Sequence, residues 1–130
     1  MFLKELTPSQ KHSFLVLASE LIKADKRLHP LEKEMFRMLR EEMNLPKIPV
    51  IRKAELGSLK RVFRNKRALV ILYVELVLLA YADGIYSKDE KKLIDKIGKA
   101  FGMQPATKAA LEKWVKDLLI HRKKLMKFFK

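Results

Sequence analysis

A chain of 130 residues has the length of one ordinary domain, below the size at which a hydrophobic core divides, so one compact fold is expected. With 48% of residues hydrophobic, 34% charged and only four Gly and five Pro, it holds enough apolar surface to bury and too little turn-forming composition for linker or disordered chain. The absence of Cys excludes disulfides, thiolate nucleophiles and cysteine zinc sites, and 29 Lys and Arg against 15 Asp and Glu leave a net +14 that favours anionic partners.

Residues 1–20 carry Lys4, Glu5 and Thr7-Pro8-Ser9 with no long apolar run and no small-residue cleavage site. No secretory signal is expected there, and the protein is read as cytoplasmic. Thr7-Pro8-Ser9-Gln10 fits a capping box that opens a helix over 8–24, in which Phe14, Leu17, Ala18, Leu21 and Ile22 keep the spacing of one helical face. His29-Pro30-Leu31-Glu32 is a weaker start for a helix over 30–43, with Pro at the first position; Met35, Met38 and Met43 read as core fillers. Pro46 and Pro49 mark a linker over 46–50.

A helix over 51–65 follows, then one over 67–82. The apolar run Ala68–Ala82 is fifteen residues long with Glu75 near its centre, whereas a membrane span needs about 20 apolar residues, so it is read as the central helix of a bundle. An unpaired carboxylate there would cost several kcal/mol, and Glu75 is expected to pair with a Lys or Arg of the preceding basic segment. Ser87-Lys88-Asp89-Glu90 is a second capping box, opening a helix over 88–101. The last helix, over 106–128, places Leu111, Val115, Leu118, Arg122, Leu125 and Phe129 on one stripe. Trp114, Leu119, Met126 and Phe128 widen that stripe. The first part of it is expected to pack on the bundle, leaving the role of 125–130 open. His12, His29 and His121 have no metal-ligand spacing.

Charge is concentrated in two places. Residues 1–45 and 68–112 are close to balanced, whereas 46–67 carry net +7 and 113–130 carry net +6. Those segments read either as Lys-rich solvated helix faces or, if they converge, as one basic surface.

The chain also repeats itself at an offset of 58 residues. Residues 14–25 align with 72–83, the Ala-Asp pair recurs as Ala24-Asp25 and Ala82-Asp83, and Glu32 is matched by Glu90. Met35, Phe36, Leu39 and Met43 match Leu93, Ile94, Ile97 and Phe101. Each copy reads as helix, Asp-containing loop, helix.

Leu78-Leu79-Ala80-Tyr81-Ala82-Asp83-Gly84, followed by Ser87 and by Glu90 on the next helix, resembles the signature of the TerB-like family, over roughly residues 13–103. The resemblance implies an all-α bundle of two related halves, an association with tellurite or stress resistance and with membrane-linked assemblies, and loop carboxylates as cation ligands. The matching positions are Asp83 and Glu90, and by the repeat Asp25 and Glu32; Lys26 stands where the second copy has Gly84. Carboxylates suit weakly held Ca²⁺ or Mg²⁺, but the same residues read first as a helix end and a capping box.

The expectation is therefore an all-α, single-domain bundle of about six helices built from two pseudo-twofold-related helix-loop-helix repeats. The repeats span 8–45 and 51–103, with the basic helix 106–130 after them. No second acid, nucleophile or phosphate loop accompanies Glu75, so no enzyme and no cofactor are expected. The function expected is an interaction module with a basic face for a protein partner or the inner membrane surface, the protein being peripheral to that membrane. Its contacts are Arg52, Lys53, Lys60, Arg61, Arg64, Lys66 and Arg67, with Arg122, Lys123, Lys124 and Lys127. A divalent-cation-binding stress protein is the alternative. Nucleic acid is a further anionic partner, bound without sequence specificity because no reading motif is present.

Overall fold

The computed structural model describes residues 1–24, 32–45, 56–82 and 86–130. Among them it is all-helical: α1 (Pro8–Ala24), α2 (Glu32–Glu42), α3 (Leu56–Val62), α4 (Lys66–Ala80), α5 (Lys88–Ala100) and α6 (Pro105–Met126), with 3-10 turns at Leu3–Glu5 and Lys127–Phe129. No strand occurs among the described residues.

The helix starts are chemical. Thr7 Oγ1 accepts the Gln10 N–H at 3.2 Å while Gln10 Oε1 accepts the Thr7 N–H at 3.0 Å, the reciprocal capping box that satisfies two orphan amides of α1. Ser87 and Glu90 do the same for α5 at 3.2 and 3.0 Å. The expected helix over 51–65 stops earlier, at Val62, because Asn65 turns extended and its side chain accepts the Ala68 N–H at 2.7 Å; that cap starts α4 at Lys66. The start read at His29-Pro30 lies outside the described residues.

The helix ends are equally specific. Asn44 follows α2 at φ 57° and Gly102 follows α5 at φ 76°. In each case the next residue closes back on the helix, Leu45 N–H to Arg40 O at 3.0 Å and Met103 N–H to Gly98 O at 2.9 Å. This is the left-handed turn that satisfies last-turn carbonyls. A side chain is disfavoured in that conformation by about 1–2 kcal/mol. Gly102→Ala is therefore expected to lose about 1 kcal/mol in urea unfolding, with the helix content at 222 nm unchanged.

Two helices share the centre. α4 buries Ala68, Ile71–Val77 and Ala80 and packs on α1, α5 and α6. α1 was expected to bury one face, yet Leu15 and Val16 are buried along with Phe14, Leu17, Ala18, Leu21 and Ile22. It touches α2, α3, α4 and α5, so residues 13–19 are all buried, while Ser9, His12 and Lys23 stay exposed. Phe36, Met43, Leu59, Phe63, Ile94, Ile97 and Val115 close the core from the other helices. Met43 fills the core as expected, but Met38 is exposed: it lies on the outer side of α2, whose inner side is marked by Phe36 and Met43.

The first seven residues form a strap that the charge and periodicity patterns did not reveal. Leu3 and Leu6 are buried. Glu75, 5% exposed, accepts the Phe2 N–H at 2.6 Å and lies 2.9 Å from the Met1 ammonium, which also bonds Glu42. The expected partner from the basic segment is thus replaced by the strap. The reason is placement: the mid-helix carboxylate faces the strap, while the cations of 60–67 lie at the start of α4 and on α3, out in solvent.

Candidate functional site: the basic helix α6 and its surroundings

α6 divides into a packed half and a free half. Over 105–119 it rests on α4, with Val115 buried and Leu111 and Leu119 against the core. Glu112 anchors this half: Tyr73 Oη and Tyr86 Oη both donate to its Oε1, at 3.2 and 3.3 Å. Tyr86 in turn stacks edge-on against Tyr81, with ring centres 5.0 Å apart.

Burial first, and the Glu112 charge second, push both Tyr73 and Tyr86 well above the ordinary phenol range. A phenol whose folded pKa is raised contributes stability below its unfolded value, near 10.0, and loses that contribution as pH rises toward the folded one. The unfolding midpoint is accordingly expected to fall between pH 9 and pH 11. The double variant Tyr73→Phe, Tyr86→Phe should flatten that fall.

From residue 120 onward every side chain is exposed. Phe128 is 84% and Phe129 71% exposed, and Leu125 and Met126 are more than half exposed. With a 3.6-residue period, Leu125 and Phe129 continue the stripe of Leu111 and Leu118, while Lys116, Lys123 and Lys127 fall on the other side. The apolar stripe that seats α6 on the bundle therefore runs on past the bundle, interrupted by Arg122 and flanked by Lys123, Lys124, Lys127 and Lys130.

The other basic segment is arranged differently. Lys60 and Arg61 end α3, Arg64 lies in the turn, and Lys66 and Arg67 open α4; all five are exposed. Arg67 is ion-paired with Glu5, and Lys113 on α6 bonds Asp117 at 3.0 Å. α3 rests on α1 and α5, while α6 rests on α4, the helix that Lys66 and Arg67 open. Arg52 and Lys53 lie outside the described residues.

Of the loop carboxylates, Asp25 and Asp83 lie outside the described residues, and for Glu32 only the helical backbone is described. Glu90 is buried, 5% exposed, with its carboxylate in the α5 capping box. Among the described residues no group of three or more His, Asp or Glu is placed to hold a metal ion, and no helix is long and apolar enough to cross a membrane.

A cleft of about 500 Å³ opens beside the strap, walled by Phe2, Val70, Ile71 and Val74. Sequence patterns gave no sign of it, because one wall comes from the strap and the other from α4. No family model matches the chain, and no curated protein or solved structure matches it.

Proposed function

We propose that this chain is a non-enzymatic interaction module that holds an anionic membrane surface, the cytoplasmic leaflet, through the free half of α6. The observation that carries this reading is the exposed apolar stripe of Leu125, Phe128 and Phe129 inside a ring of lysines. Such a helix lies in the lipid interface with its apolar side in the acyl boundary and its cations at the headgroups. Duplex nucleic acid would use the lysines but not the phenylalanines.

We also propose that the chain is a single domain made of two TerB-like repeats, with a role in stress or tellurite resistance. Support for the repeat comes from paired landmarks. The caps Thr7 and Asn65 stand 58 residues apart, as do the left-handed residues Asn44 and Gly102. α1 packs on α2 and α3, as α4 packs on α5 and α6, which suggests three helices per repeat, α3 and α6 being equivalents. The divalent-cation alternative rests on Asp83 and Glu90, with Asp25 and Glu32 by the repeat; the Glu90 carboxylate serves the α5 capping box, and no described contact favours the alternative.

Phe128→Ser combined with Phe129→Ser tests the membrane reading. It removes no core contact, so thermal stability should be unchanged within about 0.5 kcal/mol. Co-sedimentation with phosphatidylserine vesicles should fall severalfold at 0.15 M salt. Unchanged recovery would remove the phenylalanines from the interface and leave a purely electrostatic attachment.

A further inference from the structure

We propose that the cleft between the strap and α4 is a binding site for a single-chain anionic amphiphile of the fatty-acid class, independent of the membrane reading of α6. Its walls are apolar: Phe2, Val70, Ile71 and Val74 supply them, and Ile71 and Val74 are themselves buried. A volume of about 500 Å³ falls within the range of small-molecule sites, which are mostly apolar with a few placed polar groups. The wall on the strap side is preformed. Glu75 fixes the Phe2 backbone, and the Phe2 ring leans on Trp114 with ring centres 6.5 Å apart.

Among the described residues, the polar side chains of the lining are Lys66, Arg67 and Glu5. Arg67 and Glu5 neutralise each other as an ion pair, whereas Lys66 has no acidic partner among the described residues. One uncompensated positive charge beside an apolar slot matches one carboxylate head on one hydrocarbon tail. A cationic amphiphile meets repulsion there, and a short acid leaves the walls wet.

Calorimetric titration of the full chain with dodecanoate, below its micelle concentration, tests the assignment. One molecule should bind per chain. Hexanoate and dodecyltrimethylammonium should bind about tenfold more weakly or worse, as should dodecanoate to Lys66→Glu, which reverses the single free charge. Val70→Phe, which fills the slot from a half-buried position, should weaken binding by a similar factor. Both variants keep the core residues, and an unchanged circular-dichroism melt confirms their folding. The Phe128→Ser, Phe129→Ser variant should bind dodecanoate as the parent does. Equal affinity for the anionic and cationic amphiphiles, or full binding by both cleft variants, would overturn the site. Loss of binding in the phenylalanine variant would transfer the ligand to the end of α6, and a dodecanoate result in either direction leaves vesicle binding to be judged separately.

Discussion

Replacing Glu75 with Ala is expected to destabilise the protein by about 2–3 kcal/mol, through the loss of a charge-assisted hydrogen bond and the opening of a small cavity. The carboxylate accepts the Phe2 N–H at 2.6 Å and faces the Met1 ammonium at 2.9 Å from a nearly dry position. The ammonium keeps Glu42 and water, which limits the cost to less than that of a fully buried broken pair. Because the strap carries Leu3 and Leu6 into the core, its release also exposes apolar surface. Urea unfolding measures the loss, and amide exchange localises it: protection at residues 3–6 should disappear first. A Glu75→Ala protein with parental stability would mean that the Glu75 bonds do not hold the strap, which would then rest on Leu3 and Leu6.

Reversing three charges on the free half of α6, Lys123→Glu with Lys124→Glu and Lys127→Glu, is expected to abolish vesicle binding. Each lysine near an anionic surface contributes about 1 kcal/mol, and reversal turns attraction into repulsion, so a loss of more than about a hundredfold follows. All three side chains are exposed and have no acidic partner among the described residues, so the melt should not move. The parallel reversal at Arg61 and Arg64, on the other basic segment, should have a smaller effect, since among the described residues no exposed large apolar side chain accompanies those cations as Leu125, Phe128 and Phe129 accompany the lysines of α6. Equal losses from both sets would mean that the two segments act as one face.

Local chemistry accounts for what was readable in advance. The capping boxes at Thr7 and Ser87 and the apolar periodicity are short-range signals, and the helices they open begin where those residues place them. The stop at Val62 is hidden in the sequence because Asn65 sits inside a run of basic residues that are good helix formers, and only its cap geometry reveals the break. Glu75 shows the other kind of limit. A buried carboxylate announces that it has a partner, but which partner depends on a strap 73 residues away in sequence, and charge counting pointed to the wrong one. Met38 is exposed, which the sequence does not show because a helical methionine spacing does not say which side of α2 faces inward. For the site, the amphipathic character of α6 is plain in the sequence, but its apolar stripe continues past the last packed turn, so the point at which α6 leaves the bundle, after residue 119, is visible only in the fold.

The most direct measurement is co-sedimentation of the full chain with phosphatidylserine and with phosphatidylcholine vesicles across a series of salt concentrations. The account predicts strong recovery on the anionic lipid at 0.15 M salt, weak recovery on the neutral one, and a salt-resistant remainder on the anionic vesicles, held by inserted Phe128 and Phe129, once screening has shortened the Debye length to about 3 Å at 1 M. Equal recovery on both lipids, or none on either, would contradict it and return the lysines of α6 to the role of a solvated helix end.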